Sequence, residues 1–312
     1  MMSYTSVMGP GAVGCVGVIA VLVGCAERPA ASPPDPIESR PSATDSPPAG
    51  SGGVATNGPA GPPAAAVYYQ PIAIDSGRPF RRLVRELGPD RLTLLLKLNR
   101  VDLEHLRAGD TLYLPSDSLV GPLEAAPFPG RVPALDSFPK FLLVAQEIQA
   151  FAAYELGHLV FWGPTSTGKR STPTPNGFFH TTWKAKETRS TDNEAWLLKW
   201  YFNFENFRGV SFHQYDLPGQ PASHACVRLL AEDAEWIYRW ADQWRLTKDG
   251  ATVVVPGTPV LVFGDYRFGE PGPWRRLGDN PAAASVTAEA IAAAMASWGP
   301  KPAAQAPADS TR

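Results

Sequence analysis

The chain has 312 residues, 44% of them hydrophobic and 10% aromatic, which is enough for one or two folded domains with a packed core. A formal charge of -2, with no long basic run, excludes an electrostatic case for nucleic-acid binding. The 33 Pro and 28 Gly are too many for one compact domain and mark linker segments.

The chain opens on an apolar run, residues 12–24, AVGCVGVIAVLVG. It is shorter than the ~20 residues that cross a bilayer and has the length of a signal-peptide core. It ends Leu22-Val23-Gly24-Cys25, which resembles a lipobox, the site where bacterial lipoproteins are cut and acylated on the following Cys. The resemblance implies a signal peptide over 1–25 and lipidation at Cys25. It also implies an exported, periplasmic or cell-envelope protein held to a membrane by its lipid. Ala26, where an Asp would favour inner-membrane retention, points to the outer membrane. Residues 26–66 are rich in Pro, Ala, Ser and Gly and read as a disordered tether.

Residues 67–116 read as a small folded unit. Tyr68 to Ile74 is strand-like, and Phe80, Leu83, Val84 and Leu87 have helical spacing. Arg91 to Asn99 predicts a second helix, and Leu106 to Pro115 a turn and a strand. This βααβ order, with Leu98-Asn99 and the Gly109-Asp110-Thr111-Leu112 turn, resembles a LysM module. The resemblance implies binding to the glycan of peptidoglycan. Ser76-Gly77-Arg78 replaces the module's usual Gly-Asp-Thr ahead of the first helix, so a structural spacer stands beside glycan binding as a reading. A Pro-containing connector follows over 117–139.

Residues 140–264 read as the main domain, mostly β. Strands are predicted at 141–144, 150–154, 159–162, 181–183, 196–207, 210–212, 253–255 and 260–263, with one helix over 231–244. Residues 265–312 form an extension with an Ala-rich helix from about Ser285 to Trp298 and no readable chemistry.

There are three cysteines, Cys15, Cys25 and Cys226. The first two lie in the leader, which leaves Cys226 without a partner in the exported chain. It is then either inert and buried or reactive. A reactive thiol needs a lowered pKa or a nearby base, usually His. The chain has five His, and His213 and His224 fall within 13 residues of the thiol. Pro218 and Gly219 supply the loop that brings strand end and thiol together. Arg228, two residues on, points the same way as Cys226 if the segment is extended, where a guanidinium favours thiolate or grips a carboxylate. The same residues also fit satisfied core histidines, a core Cys and a surface charge. His213, His224 and Cys226 could alternatively ligate zinc.

Several separated pieces, in order, decide among these. Thr165-Ser166-Thr167-Gly168, Thr174-Pro175-Asn176-Gly177-Phe178-Phe179, Phe212-His213, Gly219-Gln220, Ser223-His224-Ala225-Cys226-Val227-Arg228-Leu229 and Gly257-Thr258-Pro259-Val260 resemble the L,D-transpeptidase catalytic domain of the YkuD-type family of bacterial cell-wall enzymes. The resemblance covers roughly Phe141 to Gly264 and implies a mainly β sandwich with one packed helix. It implies a cysteine acyltransferase that acts on peptidoglycan stem peptides through a thioacyl intermediate, without cofactor or metal. Cys226 would be the nucleophile and His213 its base, oriented by a backbone carbonyl. His224 and Ser223 would shape the site, and the N–H groups of Ala225 and Cys226 would form the oxyanion hole. Arg228 would hold the turn or a substrate carboxylate. The family usually has Gly where this chain has Ala225. If φ is positive there, Ala adds roughly 1–2 kcal/mol of strain. An L,D-carboxypeptidase or hydrolase of the same bonds, and a catalytically dead peptidoglycan-binding lipoprotein, remain as alternatives.

Overall fold

The structure, a computed structural model, describes residues 67–74 and 78–300. The signal peptide expected over 1–25, Cys25 and the tether over 26–66 lie outside the described residues.

Strand β1 (Tyr69–Ala73) pairs antiparallel with β2 (Thr111–Pro115), with Ile72 opposite Leu112. Between them runs helix α1 (Arg78–Asn99), broken at Gly88, whose φ is 71° and ψ 173°. Gly88 takes the left-handed φ without a Cβ penalty, and Pro89, which cannot continue a helix, starts the next one. The unit therefore runs strand, two helical segments, strand. Leu94, Leu95 and Leu98 on the second segment are buried with Leu112 and Leu114.

A five-stranded sheet follows. Its strands are β3 (Phe141–Ala145), β4 (Ala150–Glu155), β5 (His158–Pro164) and β6 (Gly177–His180), closed by a late strand described below. A four-stranded sheet holds β7 (Lys184–Arg189), β8 (Leu197–Glu205), β9 (Val210–Gln214) and β10 (Val227–Leu229), in the order β10-β9-β8-β7. Helix α2 (Ala231–Trp240) comes next, then a short hairpin of β11 (Arg245–Leu246) and β12 (Val253–Val255). Strand β13 (Pro259–Phe263) enters the five-stranded sheet, parallel to β3 and antiparallel to β6, giving the order β5-β4-β3-β13-β6.

The five-stranded sheet is the middle layer. Side chains alternate along a strand, so Leu142, Val144, Phe151, Ala153, Val260 and Val262 pack with the four-stranded sheet and α2. Phe141, Leu143, Ala152, Tyr154 and Leu261 face the other way, into a core shared with α1, β2, Trp274 and helix α3 (Ala288–Trp298). That is why Phe-Leu-Leu-Val-Ala of β3 is apolar at every position and buried throughout. Residues 117–139, expected as a connector, contribute Ala125, Phe128, Val132 and Leu135 to this second core. Their apolar groups are scattered among Pro and Gly, with no period to betray burial.

Three segments meet at Arg100, which is fully buried and pairs with no carboxylate among the described residues. Its guanidinium donates to the carbonyls of Lys97 and Leu98 (2.8 Å each) and Ile148 (2.9 Å), between the rings of Trp162 and Trp274. A second buried tie joins α1 to α2. Lys97 Nζ donates to Asp233 Oδ1 at 2.7 Å and to the Trp162 carbonyl at 3.3 Å. The other carboxylate oxygen of Asp233 has no hydrogen-bond partner among the described residues. Burial pushes the Asp233 carboxyl up to about 6, against the pull of Lys97.

Strands β6, β7, β10 and β11 fall where no strand was expected, and α2 stops at Trp240, short of the expected 244. The strand expected at 181–183 is irregular backbone between β6 and β7. Strand β7, Lys-Ala-Lys-Glu-Thr-Arg, has no apolar alternation because it is an edge strand, where charged side chains stay in water. In the extension, the helix begins at Ala288, capped by the Thr287 hydroxyl, which accepts from Ala290 N.

Candidate active site

The site stands on the parallel pair β9 and β10. Phe212 lies opposite Val227 and His213 opposite Arg228. Phe212 and Val227 point into the core between the sheets. By alternation, Ser211, His213, Cys226 and Arg228 share the other face. A crossover of 215–226 joins the strands, so residues distant in sequence line up side by side.

The Thr165-Ser166-Thr167-Gly168 turn braces that crossover. Ser166 and Arg228 exchange two backbone hydrogen bonds, each 3.1 Å. The N–H groups of Ala222 and Ser223 both donate to the Thr167 carbonyl at 3.0 Å, and Lys169 N donates to the Ser223 carbonyl at 3.0 Å. A Cβ on Gly168 would press on the backbone of 172–174, 2.5 Å from Thr174 N, so the turn needs Gly. The Thr174 hydroxyl accepts from Gly168 N at 2.8 Å and donates to the Ala225 carbonyl at 2.7 Å. Ser223 Oγ donates to the Cys226 carbonyl at 2.5 Å. Ala225 has φ +77°, in the region that favours glycine.

Cys226 is half-buried and is the one free cysteine among the described residues. Its Sγ lies 3.4 Å from Ser211 Oγ and 3.8 Å from the Gly209 carbonyl. These, not His213, are the thiol's hydrogen-bond partners. His213 is buried, and its Nδ1 lies 3.1 Å from the Gln214 carbonyl, which takes the proton of Nδ1–H. That tautomer leaves Nε2 with a free lone pair. Burial lowers the His213 pKa to about 4, with the Gln214 carbonyl acting the other way and Arg228 adding to the drop. Burial also pushes the Cys226 thiol up; hydrogen bonds from Ser211 and the charge of Arg228 oppose this, and Asp192 adds to it. At neutral pH the resting thiol and imidazole are therefore both uncharged.

Two clefts meet at Cys226. The smaller, about 330 Å³, is lined by Trp196, His213, Tyr215, His224 and Arg228 with the thiol. The larger, about 760 Å³, is lined by Trp183, Tyr201, Asn206, Arg208 and Gly209, again with the thiol. Asp192 and His224 line both. Arg228 lies over the Tyr215 ring, 4.5 Å from its centroid, and its guanidinium reaches the Asp216 carbonyl at 3.5 Å. His224 packs near Trp196, with ring centroids 4.9 Å apart. Among the described residues no three His, Cys, Asp or Glu side chains converge to hold a metal ion.

All the residues singled out from the Ser-His-Ala-Cys-Val-Arg segment, together with His213, thus gather around one thiol. Ser211, Tyr215, Trp196 and Lys169 were not singled out. Ser211 was findable, since it precedes His213 by two on a strand and so shares its face. Lys169 and Trp196 arrive from other elements, and nothing local in the sequence marks them.

A half-buried thiol and an imidazole oriented by a main-chain carbonyl line one cleft on a two-sheet β fold, a nucleophile and a base of the kinds that acyl transfer uses. Residues 139–262, less than half the chain, match the family model of the YkuD L,D-transpeptidase catalytic domain. Solved structures share the likeness. The L,D-transpeptidase from Stackebrandtia nassauensis is 25% identical, with 43% of this chain and 59% of that one covered and a TM-score of 0.34. The L,D-transpeptidase from Xylanimonas cellulosilytica is 25% identical, covering 41% and 61%, with a TM-score of 0.32. L,D-transpeptidase 1 of Mycobacterium tuberculosis is 22% identical, covering 40% and 62%, with a TM-score of 0.31. The chain thus spans about three-fifths of the length of these structures. No curated protein matches it.

Proposed function

We propose that this protein is an L,D-transpeptidase that acts on peptidoglycan stem peptides through a thioacyl intermediate on Cys226. The observation that carries this is the thiol at the junction of two clefts, beside a His213 whose free Nε2 lone pair is set by the Gln214 carbonyl. Cys226 attacks the carbonyl of the third stem residue while His213 takes the thiol proton. The S–C bond forms, the amide C–N bond breaks, and the proton passes to the departing D-alanine amine. An amine of a second stem, a free D-amino acid or a protein then attacks the thioester. The C–N bond forms, the S–C bond breaks, and the amine's proton returns through His213 to the thiolate. The N–H groups of Ala225 and Cys226 are the proposed oxyanion donors. Two clefts flanking one thiol suit a donor and an acceptor peptide. The lipid anchor at Cys25, an envelope location and glycan binding by the βααβ unit belong to the same proposal.

The test is mass spectrometry of muropeptides incubated with the protein and with Cys226→Ala. Loss of 3-3 cross-links and D-amino-acid exchange in the variant is expected, and unchanged products would sink the assignment. Free tetrapeptide converted only to tripeptide would mean an L,D-carboxypeptidase. The left-handed Ala225 favours one further reading, a binding protein with a silent site. Covalent labelling of Cys226 by a carbapenem at neutral pH would refute it.

A further inference from the structure

Lys169 Nζ lies 2.9 Å from His224 Nε2. An ammonium has three donors and no acceptor, so Nε2 must accept. In a neutral imidazole one nitrogen accepts and the other carries the hydrogen. The hydrogen of His224 therefore sits on Nδ1. That atom is buried and has no hydrogen-bond partner among the described residues. A buried N–H without an acceptor is costly and rare in folded proteins, and beside a nucleophile a bound ligand is one group that can supply the acceptor. The Lys169 backbone is itself pinned, since its N–H donates to the Ser223 carbonyl next to His224. The Asp, Arg, His and Cys side chains that line the clefts with His224 are Asp192, Arg189, Arg208, His213, Cys226 and Arg228, with the phenols of Tyr201 and Tyr215.

We propose that Lys169 is a positioning residue that locks His224 in the Nδ1–H tautomer, and that His224 donates this hydrogen to the acyl oxygen of a substrate held at Cys226. The two histidines of the site then have opposite hydrogen-bond duties. His213 offers a lone pair, because the Gln214 carbonyl takes its Nδ1–H, and His224 offers a hydrogen, because Lys169 occupies its Nε2. The role of the donor rests on the acyl-transfer reading of Cys226, while the tautomer does not.

The experiment is NMR of the full chain labelled with ¹⁵N-histidine, with His224 assigned from His224→Gln. The expected spectrum shows a protonated Nδ1 and a bare Nε2 on His224. Lys169→Met should lose that bias and slow acylation of Cys226 by a carbapenem, followed by mass spectrometry, about tenfold or more. Lys169→Arg, which keeps a donor, should restore both. An Nε2–H ring in the unaltered protein overturns the proposal, as does a Lys169→Met variant with an unchanged tautomer or unchanged acylation. If Lys169→Met fails to fold, the spectra of the unaltered protein and of Lys169→Arg decide. Failure of the unaltered protein to acylate, with the Nδ1–H tautomer intact, would instead defeat the acyl-transfer reading.

Discussion

The Thr174 hydroxyl donates to the Ala225 carbonyl at 2.7 Å, and Ala225 sits at φ +77°. A side chain 51 residues away in sequence thus holds the residue before the nucleophile in a conformation that alanine disfavours. Replacing Ala225 with Gly should remove about 1–2 kcal/mol of strain and lose part of that gain to chain entropy, for a net stabilisation of about 0.5–1 kcal/mol. Urea denaturation measures this, and a less stable Gly variant would show that the left-handed turn carries no strain.

Ser211 Oγ, 3.4 Å from the thiol, favours the thiolate against the burial that disfavours it. Alkylation of Cys226 by iodoacetamide should be slow at neutral pH and climb through the alkaline range. In Ser211→Ala the climb should move to higher pH, since a group that lowers the thiol pKa has been taken away. An unmoved profile would remove Ser211 from the account.

As the proposed base, His213 can act only while neutral. Its pKa of about 4 lies below the ordinary 6.5, so acidification from pH 7 to 5 should leave kcat/KM nearly level. The acid limb should fall through a midpoint near 4. A midpoint near 6.5 would mean that His213 is less buried, or less involved, than the structure has it.

The Lys97–Asp233 pair ties α1 to α2 from within. Lys97→Met alone leaves a buried carboxylate unpaired and should cost about 3–5 kcal/mol. Lys97→Met combined with Asp233→Leu should recover much of that loss. The coupling is read from the two single variants and the double variant by chemical denaturation, and simple additivity would count against the pair.

Removing residues 67–116 should not release a soluble catalytic unit. Leu94, Leu95, Leu98, Leu112 and Leu114 share a core with Leu135, Phe141 and Leu143, and the cut would expose that face. Soluble expression of residues 117–312 with a sharp thermal transition would refute this.

Much of the site was legible before the fold was. The motif pieces carried His213, Cys226 and the bracing turn, because the Ser166 and Thr174 hydroxyls bond the backbone of 220–225 and Gly168 has no room for a Cβ. The fold was legible where the apolar signal was strong: the unbroken apolar run of β3, the aromatic run of β8 and the helical period of α2. It was illegible in β7, whose edge position removes the apolar signal, and in residues 117–139, whose buried side chains follow no period. The Lys169–His224 contact spans 55 residues and had no local mark.

The pairing of β9 with β10 sets His213 opposite Arg228 and sends Phe212 and Val227 inward. A slip of one residue along this pair would bury the thiol in the core and turn Val227 toward the clefts. An insertion in the crossover ahead of Ala222, where the backbone bonds to the 166–169 turn begin, leaves this register unchanged, whereas a single residue gained or lost between Cys226 and Leu229 inverts the inside and outside of the site. Here the reading frame of a three-residue strand, rather than the identity of its side chains, is the strictest condition on reactivity.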